Sequence, residues 1–455
     1  MRAPDRPRVR VLHLRLLLLT VAGLLAAGLF ASPAGAAPGW SRPTIVSEGL
    51  NLGEEVPTLA LDSAGNATTV WQEYRGGKLV WESAVQRAGG PWSTPSRLSD
   101  GLKDAYELQI AVDPLGNETV VWVRRVGRSW VVQGASRPVG GTWSAPVALS
   151  ASGAGSPLVV AGPEGTVTAA WLLEREEGRR SVVQSATRPV GGNWSAPVSL
   201  SPPKKAARSP QIVLDPQGGA TAVWEDEYSG AVESTTRSSA GFWSPPVSLT
   251  AAGVRANWPQ VAVDPQGNAT AIWAGRTSAG RRAQIHRIQT ATRPAGGNWS
   301  APVDVSVAGR RFVQDPQIAV SPQGETTAIW QRSDGDNLVV QGASRPLGGV
   351  WSRPADITTG EGRGGQHQRL VVDSWGNATA IWEGFDTRRS GPEFALEGAK
   401  HRPGGAWSRP VNISGWRSGV GEPQLAVDQQ GRSTAIWAIY AKGGAVIQSA
   451  SSVRR

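Results

Sequence analysis

The sequence predicts an all-β chain closed into a single β-propeller of eight four-stranded blades, and three observations carry the prediction. A WSxP turn recurs at a spacing of about fifty residues, at Trp40, Trp92, Trp143, Trp194, Trp243, Trp299, Trp351 and Trp407. A second segment, DPQGNATAIW at its most regular, keeps step with it and ends at Trp71, Trp122, Trp171, Trp224, Trp273, Trp330, Trp382 and Trp437. Between them lie short β-branched runs and Gly-rich turns without a helical period. Self-similarity at this period marks a solenoid or a propeller. Units with two hairpin turns each favour the propeller over a parallel β-helix, whose coils are shorter.

The stretch 259–306 shows how one unit is expected to fold. Gln260 to Asp264 form a first strand, and the turn Asp264-Pro265-Gln266-Gly267 reverses it. Proline presets φ at the second turn position, and glycine accepts the left-handed conformation at the fourth. The second strand, NATAIW, places Ala269, Ala271 and Trp273 on one face and Thr270 and Ile272 on the other, as a sheet covered on both sides requires. The third strand lies around Ile288 to Thr292, and Arg293-Pro294-Ala295-Gly296-Gly297 turns the chain into a fourth, WSAPVDVS. A lone fourth strand, Trp40 to Ser47, precedes the first complete unit, while the last unit stops after its third strand, Val446 to Ser449. The N-terminal strand is therefore expected to complete the last blade and leave no open sheet edge.

Five arginines, Arg2, Arg6, Arg8, Arg10 and Arg15, precede and enter an apolar run from Leu16 to Phe30, followed by the small residues Ala34, Gly35 and Ala36. This layout reads as a secretory signal peptide over 1–36, with the propeller over 37–455. No later segment is apolar enough to span a membrane, so the mature chain is expected to be released outside the cell as a monomer. The absence of cysteine excludes disulfides, thiol catalysis and cysteine-ligated metal. Stability must come from a large packed core. Of the formal net charge of +10, about +6 remains after the leader, a modest excess with no dense Lys/Arg run, so nucleic acid is not expected as a partner.

No metal or cofactor is expected either. His286, His367 and His401 fall in different repeats without HExxH spacing, and the Gly-rich turns lack the lysine and helix of a phosphate loop. These histidines are read as solvated or locally hydrogen-bonded. The third strands carry one polar residue per repeat, at Glu82, Gln133, Gln184, Glu233, Gln289, Gln341, Glu397 and Gln448. That column is read as buried side chains bonded to the backbone of the neighbouring blade, and the sixteen repeated tryptophans as blade-to-blade packing.

The DPQG and RPxGG turns share one face of the ring, and the variable loops share the other. Binding residues concentrate in loops held by a rigid scaffold. The candidate ligand-binding residues are therefore Trp258, Trp416, Arg124, Arg125, Arg281, Arg282, Arg310, Arg311, Arg388 and Arg389, with the acidic run Glu174 to Glu177 and with Asp334 and Asp336 as further loop charges. The tryptophans would stack on a sugar face, and the arginines would meet carboxylate or phosphate groups with paired donors.

The third-to-fourth-strand turn resembles the Asp-box (bacterial neuraminidase) repeat of sialidase-like propellers, S-x-D-x-G-x-T-W. Ser136 to Trp143 reads SRPVGGTW, matching Ser, Gly, Thr and Trp with Pro138 in place of Asp, and Thr187 to Trp194, Thr292 to Trp299 and Ser344 to Trp351 match in part. The resemblance implies the propeller fold. Sialidases add an arginine triad, a Tyr/Glu pair and an acid/base Asp. Here the tyrosines are Tyr74, Tyr106, Tyr228 and Tyr440, and no Phe/Tyr-Arg-Ile-Pro motif occurs. No catalytic residue is assigned.

The expected function is that of a secreted, non-enzymatic propeller binding an extracellular glycan or cell-wall polymer through its variable-loop face. A sialidase-like glycoside hydrolase or lyase is the alternative, with Glu225, Asp226, Glu383 and Asp386 as its candidate carboxylates. A protein-interaction scaffold is the third reading.

Overall fold

The computed structural model describes residues 35–47, 52–53, 55–75, 78–98, 105–174, 180–278, 283–360, 362–388, 393–416, 419–441 and 444–452. The leader up to residue 34, residues 175–177 of the acidic run, Arg281, Arg282 and Arg389 lie outside them. The described residues contain strands and no helix. They form eight four-stranded antiparallel sheets, the eight blades that the repeats predict.

Blades 1 to 7 are built from consecutive strands over 58–97, 105–148, 154–199, 207–248, 255–304, 313–356 and 363–412. Blade 8 takes Val420–Val427, Ser433–Ala441 and Gly444–Ser451 from the C-terminal part of the chain and Thr44–Ile45 from the N-terminal part. Thr44 pairs with Ser449 and Ile45 with Gln448. Ser41 N donates to Ser451 O, and Val46 N to Ile447 O, both at 2.8 Å. The ring is thus closed by hydrogen bonds between the two ends of the fold. The first strand of each blade packs against the first strands of both neighbours, blade 8 against blade 1 included, so these strands surround the centre.

The two-residue period of the second strand explains the core. In blade 4, Ala222 and Trp224 pack into the seam with blade 3, beside Ala170, Leu172 and Val183. The residue between them, Val223, points the other way and joins Ala271 and Trp273 in the seam with blade 5. All eight second-strand tryptophans are at most 1% exposed.

The polar column of the third strands is structural, but its partner differs from the expected one. Each member lies directly opposite a second-strand tryptophan, as Gln289 opposite Trp273 and Gln341 opposite Trp330. The indole N–H of Trp171, Trp273, Trp330 and Trp382 donates to Gln184, Gln289, Gln341 and Glu397 at 3.1–3.3 Å. A cross-strand pair on one face brings the side chains together within the blade, so no backbone group of the next blade is needed.

The repeated turns are clamped by their own side chains. The serine of every WSxP turn accepts a backbone N–H from the opposing third strand, from Ser41 with Ser451 N through Ser408 with Lys400 N, at 3.0–3.1 Å. In blade 5, Gly267 adopts φ +85, and buried Asp264 accepts Gln266 N, Asn268 N and Asn268 Nδ2 at 2.8–3.0 Å. Asn268 Oδ1 in turn accepts Ala295 N at 3.0 Å, tying one hairpin turn to the other on the same face. An arginine six residues before the WSxP tryptophan lies over its ring in blades 2 to 6, with the guanidinium carbon 4.9–5.8 Å from the ring centre.

Candidate functional site

In blades 2 to 8 the first strands begin earlier than the apolar run suggests, because each carries a bulge near its variable-loop end. In blade 5 the strand is Arg255–Val263, with its register broken between Asn257 and Gln260. The same break recurs in blades 2 to 8. At each break one residue other than glycine holds a left-handed φ of 47 to 56: Glu107, Ser156, Ser209, Trp258, Asp315, His367 and Glu422. Such a backbone costs an L-residue on the order of 1 kcal/mol or more. In five of the seven blades the next residue is proline, which cannot donate to the ladder and favours a bulge.

Identity varies in this column while conformation repeats, and most of its side chains are exposed or half-buried on the strands that surround the centre. Several bulge amides are capped from the preceding blade. Glu55 Oε2 accepts Glu107 N at 3.3 Å, Glu107 Oε2 accepts Ser156 N at 2.7 Å, and Glu225 Oε1 accepts Trp258 N at 2.6 Å.

Three of the four titratable members, Asp315, His367 and Glu422, lie in the consecutive blades 6 to 8, and the fourth, Glu107, lies in blade 2. His367 Nδ1 lies 2.9 Å from Glu383 Oε2, and Gln366 Nε2 donates to Glu383 Oε1 at 3.0 Å. Glu383 is buried while the His367 side chain is half exposed. The hydrogen bond from Glu383 raises the His367 pKa above the ordinary value, against an opposing desolvation. Tyr440 donates its hydroxyl to Glu422. Burial raises the Glu422 carboxyl, and burial next to that carboxyl raises Tyr440, so the phenol stays protonated. Burial also raises Asp315, opposed by the charges of His367 and Arg369. Among the described residues no group of three or more His, Asp or Glu could hold a metal ion.

Trp258 is itself a bulge residue on the first strand of blade 5, 36% exposed. Phe312 meets its ring edge-on at 6.3 Å and meets His286 at 5.4 Å. Arg310 and Arg311 directly precede Phe312 and are exposed, so the fold brings these two arginines to the Trp258 cluster. Trp416 lies between blades 7 and 8, half-buried, with the Arg363 guanidinium 5.3 Å from its ring centre. Arg363 also bonds Glu397 at 3.2 Å, and Arg388 pairs with Asp386 at 3.0 Å. Arg124 and Arg125 end the second strand of blade 2, with Arg125 opposite Trp130. The seven described candidates fall into three groups: Arg124 and Arg125 in blade 2, Trp258 with Arg310 and Arg311 next to its partner Phe312, and Arg388 and Trp416, which are joined through Arg363, over the Trp416 ring and 3.8 Å from the Asp386 that pairs with Arg388.

Two of the carboxylates considered for catalysis have structural partners. Glu225 caps the Trp258 amide, and Asp226 accepts Ser229 Oγ at 2.7 Å and pairs with Lys205 at 3.3 Å. His401 is buried against Trp407, 5.2 Å between rings. The sequence reading passed over Asp315, Glu422 and Glu107. Their one signal is position, since Asp315 and Glu422 directly precede the proline of the first strand and Glu107 precedes Leu108 at the equivalent place.

An eight-bladed ring with hydrogen-bonded closure and a variable central mouth defines the class: this chain is a β-propeller. Among solved structures it is similar to an ulvan lyase described as a new family of polysaccharide lyase "bound to -[GlcA(1-4)Rha3S]-", at 9% identity and a TM-score of 0.53, covering 89% of this chain and 94% of that one. It is also similar to a protein of unknown function from Dyadobacter fermentans, at 11% identity, a TM-score of 0.46 and 92% and 100% coverage. A third is an α-L-arabinanase of Penicillium chrysogenum complexed with arabinobiose, at 12% identity, a TM-score of 0.43 and 76% and 94% coverage. At these identities the likeness defines the fold alone. No protein-family model matches the chain, and no curated protein matches it.

Proposed function

We propose that this protein is an exported, monomeric propeller that binds a glycan or cell-wall polymer across the variable-loop mouth of the ring. One observation carries the reading: seven blades hold a strained residue, of five different types, at the same place around the centre. Backbone strain of this kind persists where the surrounding structure enforces it, and it clusters at binding sites. The mouth offers what a sugar needs. Trp258 and Phe312 give apolar ring faces, while Asp315, His367 and Glu422 give donors and acceptors at the equivalent positions of blades 6 to 8. Arg310 and Arg311 stand ready for a carboxylate or phosphate on the polymer. A polysaccharide-active enzyme of the same fold agrees with this reading. The leader over 1–36 supplies the export. No helix of the described residues is long and apolar enough to cross a membrane.

The test is affinity for a saccharide ligand in Trp258→Ala and His367→Ala, with Trp416→Ala alongside. Weakening by the first two with the fold intact supports the mouth, and unchanged affinity removes it.

A second reading, hydrolysis, is favoured by the Glu383–His367 and Glu422–Tyr440 pairs lying side by side. Glu422, whose carboxyl is raised by burial, would in its protonated form give a proton to the leaving glycosidic oxygen as its bond to the anomeric carbon breaks. His367, backed by Glu383, would take a proton from the water whose oxygen bonds that carbon. Release of reducing ends by the wild type, lost in Glu422→Gln and His367→Ala, would establish it.

A further inference from the structure

A second site lies where the ring closes, on the opposite side of the molecule's repeat pattern. In the seam between blades 3 and 4, Arg237 lies over Trp243 and donates to Thr168 Oγ1 at 3.2 Å and to Thr187 Oγ1 in the preceding blade. Arg188, Arg293 and Arg345 cross their seams in the same way to Thr119, Thr221 and Thr270 at 2.8–3.3 Å. The column runs through blades 2 to 6, gives way to His401 in blade 7 and lapses at the closure. Gln86 stands in the arginine position of blade 1 and Ser452 in that of blade 8, each bridged to its WSxP tryptophan as Arg237 is to Trp243. Gln86 turns back to its own hairpin, donating to Gly90 O at 2.9 Å. The acceptor hydroxyls persist without an arginine: Thr434 and Ser451 lie 3.2 Å apart, as Thr168 and Thr187 lie 3.3 Å apart.

What the absent side chain leaves is a groove of about 660 Å³ along the blade 8 to blade 1 seam. That volume is within the range of small-ligand sites, about 300–1,000 Å³. Trp92 forms one wall, and its N–H donates to Ser449 Oγ at 2.7 Å, which fixes the indole edge. Arg42 and Arg432 also line the groove, and among the described residues no acidic side chain does. Arg432 is balanced by Asp428 at 3.0 Å, whereas Arg42 is exposed with no ion pair among the described residues. A guanidinium guest, the group that crosses the seams at blades 3 to 6, would therefore meet two like charges. An anionic guest with a flat C–H face would meet a tryptophan, two arginines and a row of hydroxyls.

We infer that this seam groove binds an acidic saccharide unit, with its ring face on Trp92 and its anionic group on Arg42 and Arg432. The anion is a sugar carboxylate or a sugar sulfate, since both present a pair of terminal anionic oxygens that the two N–H groups of a guanidinium fork can reach. Because Thr44 of the closing strand bonds Ser449 at 3.1 Å, the guest sits against the closure and raises the unfolding temperature on binding. This site stands independently of the mouth.

The experiment is calorimetric titration of the full mature chain at physiological salt with tetragalacturonate, a sulfated galactose tetrasaccharide and neutral tetragalactose. The expected result is binding of at least one acidic probe and not of the neutral one, with the unfolding temperature raised. Gln86→Arg restores the column arginine and fills the groove, so it loses binding tenfold or more while its unfolding temperature without ligand stays equal or rises. Arg42→Ala, an exposed position, weakens binding about tenfold with the fold kept. The preferred probe decides between carboxylate and sulfate. Three results would overturn the inference: silence with both acidic probes, equal binding of the neutral probe, or acidic binding untouched by Gln86→Arg and Arg42→Ala. Loss in His367→Ala with retention in Gln86→Arg would place the binding at the mouth instead, and so separates the two sites.

Discussion

His367 and Glu383 face one another across the first two strands of blade 7, with Nδ1 and Oε2 2.9 Å apart. A buried carboxylate bonded to an imidazole stabilises the imidazolium. The His367 pKa therefore stands above 6.5. Followed by NMR, its titration midpoint is expected to exceed that of a free histidine, and in Glu383→Gln to fall below the wild-type value. Equal midpoints in the two proteins would refute the coupling. The stability sign follows from linkage. A raised folded pKa contributes stability that is complete below the unfolded value and is lost as pH rises through the folded one. Glu422 and Asp315, also raised, act in the same direction at lower pH. Stability is thus predicted to fall between about pH 6 and 8 more in the wild type than in His367→Asn.

Thr44–Ile45 is a two-residue strand, yet it carries the closure. Deleting residues 37–48 exposes the edge of Gly444–Ser451 and opens the blade 8 to blade 1 seam, where Val46 packs with Trp71 and Ile447. Cooperative unfolding is expected to disappear. A melting curve like that of the intact chain would show that closure does not hold the ring.

The repeated residues should differ in cost by their burial. Trp273→Ala removes a side chain with 0% exposure from the seam between blades 4 and 5 and should cost about 3–5 kcal/mol. Ser300→Ala removes the exposed hydrogen bonds of one hydroxyl at the hairpin, that from Thr292 N among them, and should cost about 1 kcal/mol. Urea unfolding measures both, and the reverse order would contradict the assignment of the core.

Arg237 and Arg310 offer a contrast between a clamping and a loop arginine. Arg237→Lys gives up the planar fork that reaches Thr168 and Thr187 while lying over Trp243, and a loss of about 1–3 kcal/mol is expected. Arg310→Ala, exposed, should stay within about 0.5 kcal/mol. Equal effects would mean that the arginine column does not join the blades.

The blades and their closure were legible because repetition fixes register: Trp, Asp-Pro-x-Gly and Trp-Ser recur wherever a strand or turn must have one geometry. The mouth was not, because its residues share a backbone state rather than a side-chain type. Trp258 was read as a loop residue for that reason, and its left-handed φ follows from a register break that no local motif spells out. His367, Glu383, Glu422 and Tyr440 are scattered over two repeats, and only ring geometry places them side by side. The seam groove needed both views. Gln86 and Ser452 depart visibly from the arginine column, but the departure gains meaning only once Arg237 is seen crossing to the preceding blade.

The central claim, a glycan site at the variable-loop mouth, is tested most directly by glycan-array binding of the mature chain at low and high salt, run beside His367→Ala. Salt screens the mere attraction of a basic protein to acidic polymers but leaves a shaped site. The predicted result is binding to a narrow glycan set that survives high salt and is lost in His367→Ala. Silence, binding that vanishes with salt, or binding indifferent to His367→Ala would contradict it.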